Sequence, residues 1–211
     1  MSGILDPQDA KISLRALNLV NDPSPGNVVA TSGVSGSIIQ PYAGQIGKRL
    51  VVSSAQALDL SDTTIGTLFE GVYQYVQVLL GATAAPARGA ACYWSDIDNA
   101  VVTTDQVATN AAKLAGFFLS APTKGNYCYI QLAGKTSCLF KSTITKATPA
   151  DGDLAVLDAA TSPRVDVLAD ATAIVSPNLK LVVGVCLGAA VSNAISLVDV
   201  WHLRQMMGGG F

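Results

Sequence analysis

Of the residues that could do chemistry, histidine occurs once in this 211-residue chain, as His202. A histidine-based metal site or catalytic triad would therefore have to be built around the segment Trp201 to Phe211, a short run broken by three successive glycines. The four cysteines, Cys92, Cys128, Cys138 and Cys186, include no C-x-x-C pair and no zinc-type spacing. A cysteine nucleophile needs a base beside it, and the single imidazole belongs to that same segment. Apolar neighbours such as Leu139 and Phe140, or Val185 and Leu187, mark the thiols as reduced and packed in a core. The aspartate pairs Asp96/Asp98 and Asp151/Asp153 could serve as acid and base or bind calcium. Each lies in a turn sequence, where aspartate bonds its own backbone, and the twelve-residue calcium loop with its terminal glutamate is absent. Gly33-Val34-Ser35-Gly36 lacks the Gly-Lys-Ser/Thr of a phosphate loop. The expectation is a chain that is not an enzyme, with no catalytic, metal-binding or cofactor-binding residue and no cofactor.

Composition says what the chain does instead. Half of the residues are hydrophobic and mean hydropathy is +0.40, yet only 13% are charged, against about a quarter in ordinary soluble domains. Surface so poor in charge favours association, and a subunit buried by neighbours needs less solvating charge, so an oligomer is expected. A spanning helix needs about 20 apolar residues in a row; the longest run, Leu181 to Val191, is shorter and carries two glycines. No membrane contact is expected, and the N-terminus shows no Sec-type signal pattern. Net charge −2 and a pI near 5.2, with scattered lysines and arginines, give no basic footprint, so nucleic acid is not expected as a partner either.

The elements that would position these residues read as strands. Glu70 is the only glutamate among 15 acidic residues, a skew away from a helix former and toward the turn former aspartate. Valine, threonine and tyrosine fill short runs punctuated by Gly, Pro, Asn and Asp. Alternation is clearest over Gly71 to Leu79, with Val72, Gln74, Val76 and Val78 on one face and Tyr73, Tyr75, Gln77 and Leu79 on the other. Both faces are mostly apolar, which fits a central strand or one covered by a second subunit. Further strands are expected at Arg49–Ser54, Ala90–Ser95, Gly116–Ser120, Tyr127–Leu132, Ser137–Ile144, Leu154–Asp158, Arg164–Leu168, Leu181–Leu187 and Ala194–Val200. Turns are expected at Asp96-Ile97-Asp98-Asn99, Lys124-Gly125-Asn126, Asp151-Gly152-Asp153 and Ser176-Pro177-Asn178.

A weak internal repeat with a period of about 65 to 68 residues underlies this pattern. Ala82 to Gly89, an apolar strand, an Asp-rich turn, Val101 to Asp105 and Lys113 to Leu119 are followed in like order by Ala147 to Gly152, Leu154 to Asp158, Arg164 to Leu168 and Lys180 to Leu187. The fold class expected is all-β: two tandem small β-barrel or sandwich modules preceded by an extended N-terminal region. The division is 1–70 for that region, with strand candidates at Gly33–Ile39 and Arg49–Ser54, 71–137 for the first module, 138–200 for the second and 201–211 for a tail. Trp201, Met206, Met207 and Phe211 make the tail either a fraying end or a docking arm whose apolar anchors enter a neighbour's pockets.

Gly71-Val72-Tyr73-Gln74-Tyr75-Val76-Gln77, then Ala87-Arg88-Gly89 before Cys92-Tyr93-Trp94, then Thr123-Lys124-Gly125-Asn126-Tyr127-Cys128-Tyr129-Ile130-Gln131-Leu132-Ala133-Gly134 resemble the decoration, or cement, proteins of tailed-bacteriophage heads. The likeness covers residues 71 to 140 well and the second copy loosely. It implies a virion protein, assembled in the host cytoplasm, that clamps neighbouring major capsid subunits, with the major capsid protein and its own copies, in a trimer, as partners. No catalytic residue carries over. Interface candidates are Tyr73, Tyr75, Trp94, Trp201, Met206, Met207 and Phe211. The alternative is a head-fibre or tail component that stacks a host glycan on Tyr73, Tyr75, Tyr93, Trp94, Tyr127 and Tyr129. A shallow exposed aromatic groove would favour the glycan, and burial of those rings in a subunit interface would favour cement.

Overall fold

In the computed structural model the described residues are 46–47, 49–55, 57, 69–105, 114–158, 163–169 and 182–200. The expectations for the extended N-terminal region before residue 46, for Ser176-Pro177-Asn178 and for the tail lie outside them. The chain is all-β. Its strands are β1 (Arg49–Val52), β2 (Gly71–Val78), β3 (Ala91–Asp96), β4 (Val101–Thr103), β5 (Leu114–Phe118), β6 (Tyr127–Leu139), β7 (Leu154–Leu157), β8 (Val165–Val167), β9 (Val182–Cys186) and β10 (Ile195–Val200).

The strands join in the order β1-β2-β4-β3-β5-β6-β10-β9-β7-β8, and an additional β2–β6 pairing closes β2, β4, β3, β5 and β6 into a five-stranded barrel. Full closure removes the sheet edges that would otherwise pair with other chains. The core of this barrel holds Val76, Val78, Cys92, Val102, Ala115, Phe118, Cys128, Ile130 and Leu132. Both faces of β2 are covered by the chain itself: Val76 and Val78 lie in the core while Tyr73 and Tyr75 are buried on the other side. The apolar alternation therefore reflects a central strand.

Past the first barrel the same strand order runs again. β6, β8, β7, β9 and β10 stand in the places of β2, β4, β3, β5 and β6, and the isolated parallel bridge Phe140↔Val165 stands where β2 meets β4 in parallel at Val78↔Val102. Equivalence extends to register. Ala91↔Phe117 and Cys92↔Gly116 recur as Leu154↔Val185 and Ala155↔Gly184, with a bulge after each second pair. Tyr93↔Thr103 and Trp94↔Val102 recur as Val156↔Asp166 and Leu157↔Val165. Phe118↔Ile130 recurs as Cys186↔Val198, and Val76↔Cys128 as Cys138↔Ser196. The displacement is thus 62 residues in the first strand, 63 in the next two and 68 in the last two. The unequal steps come from longer loops in the second copy, which blurred the sequence period.

One difference from the sequence expectation is structural. Tyr127–Leu132 and the start of Ser137–Ile144 are not two strands but parts of the single 13-residue β6, which passes unbroken through Ala133-Gly134-Lys135-Thr136 and ends at Leu139, so that 141–144 are not strand. Gly134 has a positive φ of 95°, yet it remains in the ladder, paired with Gly71 on one side and Val200 on the other. The division at residue 137 thus falls inside a shared strand. The second core is shared as well: Ala91, Tyr93, Leu114 and Phe117, from the outer face of the first barrel, join Cys138, Phe140, Ala155, Leu157, Val165, Val167, Val183, Cys186, Val198 and Val200.

Candidate functional site

The sequence-chosen groups that fall among the described residues have definite places. The four cysteines are free and buried, Cys92 and Cys128 in the first core and Cys138 and Cys186 in the second. Burial pushes all four thiols up, Cys186 to about 11 and Cys92, Cys128 and Cys138 well above the usual thiol range. At neutral pH they are protonated and behave as small hydrophobes, not as nucleophiles.

The aspartate turns are held by their own backbone. Asp96 Oδ1 accepts from the Asp98 and Asn99 N–H groups and Oδ2 from the Asn99 side-chain amide. The Asn99 hydrogen bonds hold this carboxyl below the usual range. Asp153 accepts from Lys146 Nζ and from the Ala150 N–H, and the Lys146 bond lowers it in turn. Among the described residues no three His, Cys, Asp or Glu side chains gather where a metal ion could sit.

A related device was not legible in the sequence. Asp105, just past β4, accepts from the Thr83 and Ala84 N–H groups. In the second copy Asp166, inside β8, accepts from the Thr145 N–H and hydroxyl and pairs with Lys141 at 2.6 Å. Burial raises the Asp166 carboxyl, but the bonds from Lys141, Thr145 and Val167 outweigh it and hold it low. Each barrel thus ties the loop after its first strand to a carboxylate on or beside its third.

The interface candidates divide by exposure. Tyr73 is fully buried, its hydroxyl donating to the Phe69 carbonyl at 2.5 Å, and burial pushes its phenol far up. Tyr75 is also buried. It stacks on Tyr127 with ring centroids 6.0 Å apart and meets the tilted ring of Tyr129 at 5.0 Å. Tyr93 and Tyr129 are buried, while Trp94 and Tyr127 are partly exposed. Trp201, Met206, Met207 and Phe211, with His202, lie outside the described residues. The rings proposed for glycan stacking are therefore mostly spent on packing within the chain and form no open groove.

What the surface offers instead is aliphatic. Leu80 is 75% exposed and Val51 73%, and Ile97, Val191, Ile195 and Leu187 are exposed as well. Leu80 sits against the 123–126 hairpin, one residue before β6 begins. Ile195 pairs with Leu139, the last residue of β6, and the Val191 N–H bonds the Ser196 hydroxyl. Apolar groups thus mark both ends of β6, about 40 Å apart at roughly 3.3 Å per strand residue. The copies differ here. Leu119 is buried at 9% exposure, whereas its counterpart Leu187 stands at 39%.

No protein-family model matches the chain, and no curated protein matches it. Among solved structures it is similar to the head fiber gp8.5 N base of bacteriophage phi29, with 9% identity and a TM-score of 0.39 over 62% of this chain and 93% of that one.

Proposed function

We propose that this chain is a structural virion protein that binds an assembled phage capsid and stabilises it by bridging major capsid subunits, without catalysis. The observation that carries the reading is the pairing of rigidity with apolar ends: two barrels fused through one strand and one shared core, with exposed aliphatic side chains at both ends of that strand. A stiff body loses little conformational entropy on docking, and contacts at two separated ends make release of one subunit depend on release of the other. Low charge suits surfaces buried against partners. Self-association into a trimer would multiply these contacts. The burial of Tyr73, Tyr75, Tyr93 and Tyr129 removes the stacking faces on which glycan binding would depend.

The test is to compare particles assembled with and without the chain by negative-stain imaging and thermal release of DNA. Added density and a higher release temperature are expected. Particles that take up no copies, or that release DNA at the same temperature with copies bound, would overturn the proposal.

A further inference from the structure

The loop that leaves the first strand is fastened differently in the two barrels. In the first copy, residues 79–90 are held on carbonyl acceptors as well as on Asp105. The Thr104 hydroxyl donates to the Ala84 carbonyl at 2.7 Å, Lys124 Nζ to the Thr83 carbonyl at 3.0 Å, and the Leu139 N–H to the Gly89 carbonyl at 2.7 Å. A carbonyl acceptor takes up no proton as pH falls.

The second copy relies on carboxylates. Residues 141–153 run from the end of β6 to β7 with most of their side chains exposed, and Ile144 packs against the second core. A strap with so little apolar burial depends on its polar ties. Asp166 accepts from the Thr145 N–H at 2.8 Å and hydroxyl at 2.5 Å and pairs with Lys141 at 2.6 Å. Asp153 accepts from the Ala150 N–H at 2.7 Å and pairs with Lys146. The two ends are fixed by backbone, the Lys141 N–H on the Val165 carbonyl and the Gly152 N–H on the Cys186 carbonyl, each at 2.9 Å, and Arg164 bonds the Phe140 carbonyl just before the strap begins. Cys186 lies against the far end. It is 1% exposed, its N–H donates to the Asp153 carbonyl at 2.8 Å, and its thiol feels the charges of Asp153, Lys146 and Asp151.

We propose that residues 141–153 are an acid-released strap, which protonation of Asp166 and Asp153 frees from the second barrel, opening the core at Cys186 while the first barrel stays closed. Lys141 is the cation set against Asp166, and Lys146 is set against Asp153 with Asp151 beside it. Protonation removes the charge that holds each lysine and weakens the bonds from the N–H groups. Both carboxyls are held below the usual range, Asp153 chiefly by the Lys146 bond and Asp166 because bonds from Lys141 and Thr145 outweigh its burial. The fastening is therefore complete above about pH 4, the unfolded value, and is lost as pH falls through the lowered folded values. The opening is local, because β7, β8 and β9 pair through backbone ladders that take up no proton.

A pyridyl disulfide that reacts with thiols from neutral to acid pH tests this on the full chain. Exchange leaves a mixed disulfide on the cysteine and releases a thiopyridone, and mass spectrometry assigns the labelled residue. The double variant Asp153→Asn, Asp166→Asn removes both charges and keeps the side-chain shape. At pH 7 it should label Cys186 about tenfold faster than the wild type does, while Cys92 and Cys128 of the first core keep their wild-type rates. Should the double variant not fold, the wild type is followed from pH 7 to pH 3 with each rate divided by that of free cysteine, and the Cys186 rate should rise about tenfold over that of Cys92. A folded variant whose Cys186 labels no faster than in the wild type overturns the proposal, as does labelling of Cys186, Cys92 and Cys128 in step as pH falls.

Discussion

The two barrels carry different side chains on one backbone plan. Tyr75, Tyr127 and Tyr129 of the first copy are matched by Ser137, Ile195 and Leu197 in the second, and Phe118 by Cys186. What does not vary is set by backbone geometry. Gly116 and Gly184 occupy the same place, each where a Cβ would run into the carbonyl of the strand alongside, Gln131 in one case and Asp199 in the other. The hairpin before the last strand has a positive-φ residue in both, Gly125 and Asn193, and each donates its N–H back to the first strand's end, at Val78 and Lys141. Apolar volume can be exchanged between copies so long as the total fills the core, whereas a close backbone approach admits one residue type.

The strongest way to break this comparison is to fill the shared glycine place. Gly184→Ala is expected to destabilise by roughly 3 kcal/mol or more, or to abolish folding, because backbone and not a movable side chain stands in the way. Gly116→Ala should cost nearly as much. Denaturant melts of both would check this, and a tolerated alanine at either position would show that the close approach is not what fixes the module.

Next in size is the core at the crossover. Phe140→Ala should cost about 3–5 kcal/mol, while Val78→Ala at the matching position should cost about 2 kcal/mol. Because Ala91, Tyr93, Leu114 and Phe117 belong to the same core as Phe140, calorimetry of Phe140→Ala should show one transition at lower temperature. Two separated transitions would mean that the barrels unfold independently.

The carboxylate ties give a smaller, pH-dependent effect. Asp166→Asn is expected to cost about 1–3 kcal/mol at neutral pH through lost charged hydrogen bonds. Since the folded carboxyl is held below its unfolded value of about 4, its stabilisation is complete above that pH and drains as pH falls through the lowered folded value. Melting temperatures of the wild type should therefore fall more steeply below pH 4 than those of Asp166→Asn.

The smallest effect sharpens the match between hairpins. Gly125→Asn copies the second barrel and should cost under about 1 kcal/mol, whereas Gly125→Ala should cost about 1–2 kcal/mol, because asparagine tolerates the left-handed region better than alanine. Equal losses in thermal melts would remove the equivalence.

Much of the fold was legible in the residues because turn chemistry and strand alternation are local signals. The strand at Gly71 to Val78, the turn at Lys124-Gly125-Asn126 and the order of the repeat could all be read from neighbours in the chain. Closure and sharing could not. That Gly134 sits inside a strand, and that Tyr93 faces the second core while Cys92 faces the first, depend on partners remote in the chain: Val200 pairs with Gly134 from 66 residues away, and Phe117 and Val198 share a core with Tyr93 from 24 and 105 residues away. Of the candidate site, the buried thiols were legible from apolar neighbours. The burial of Tyr73 and Tyr75 was not, because two apolar faces on one strand look alike whether a subunit or the chain itself covers them.

Gly71, Gly134 and Val200 stand side by side on three adjacent strands, so the first residue of the doubled barrel and its last are about 10 Å apart, two strand spacings. A body whose entry and exit lie together at its waist is built like a cassette. It can be spliced into a surface loop of a host protein through two short linkers, leaving both distant tips free on either side of the insertion point.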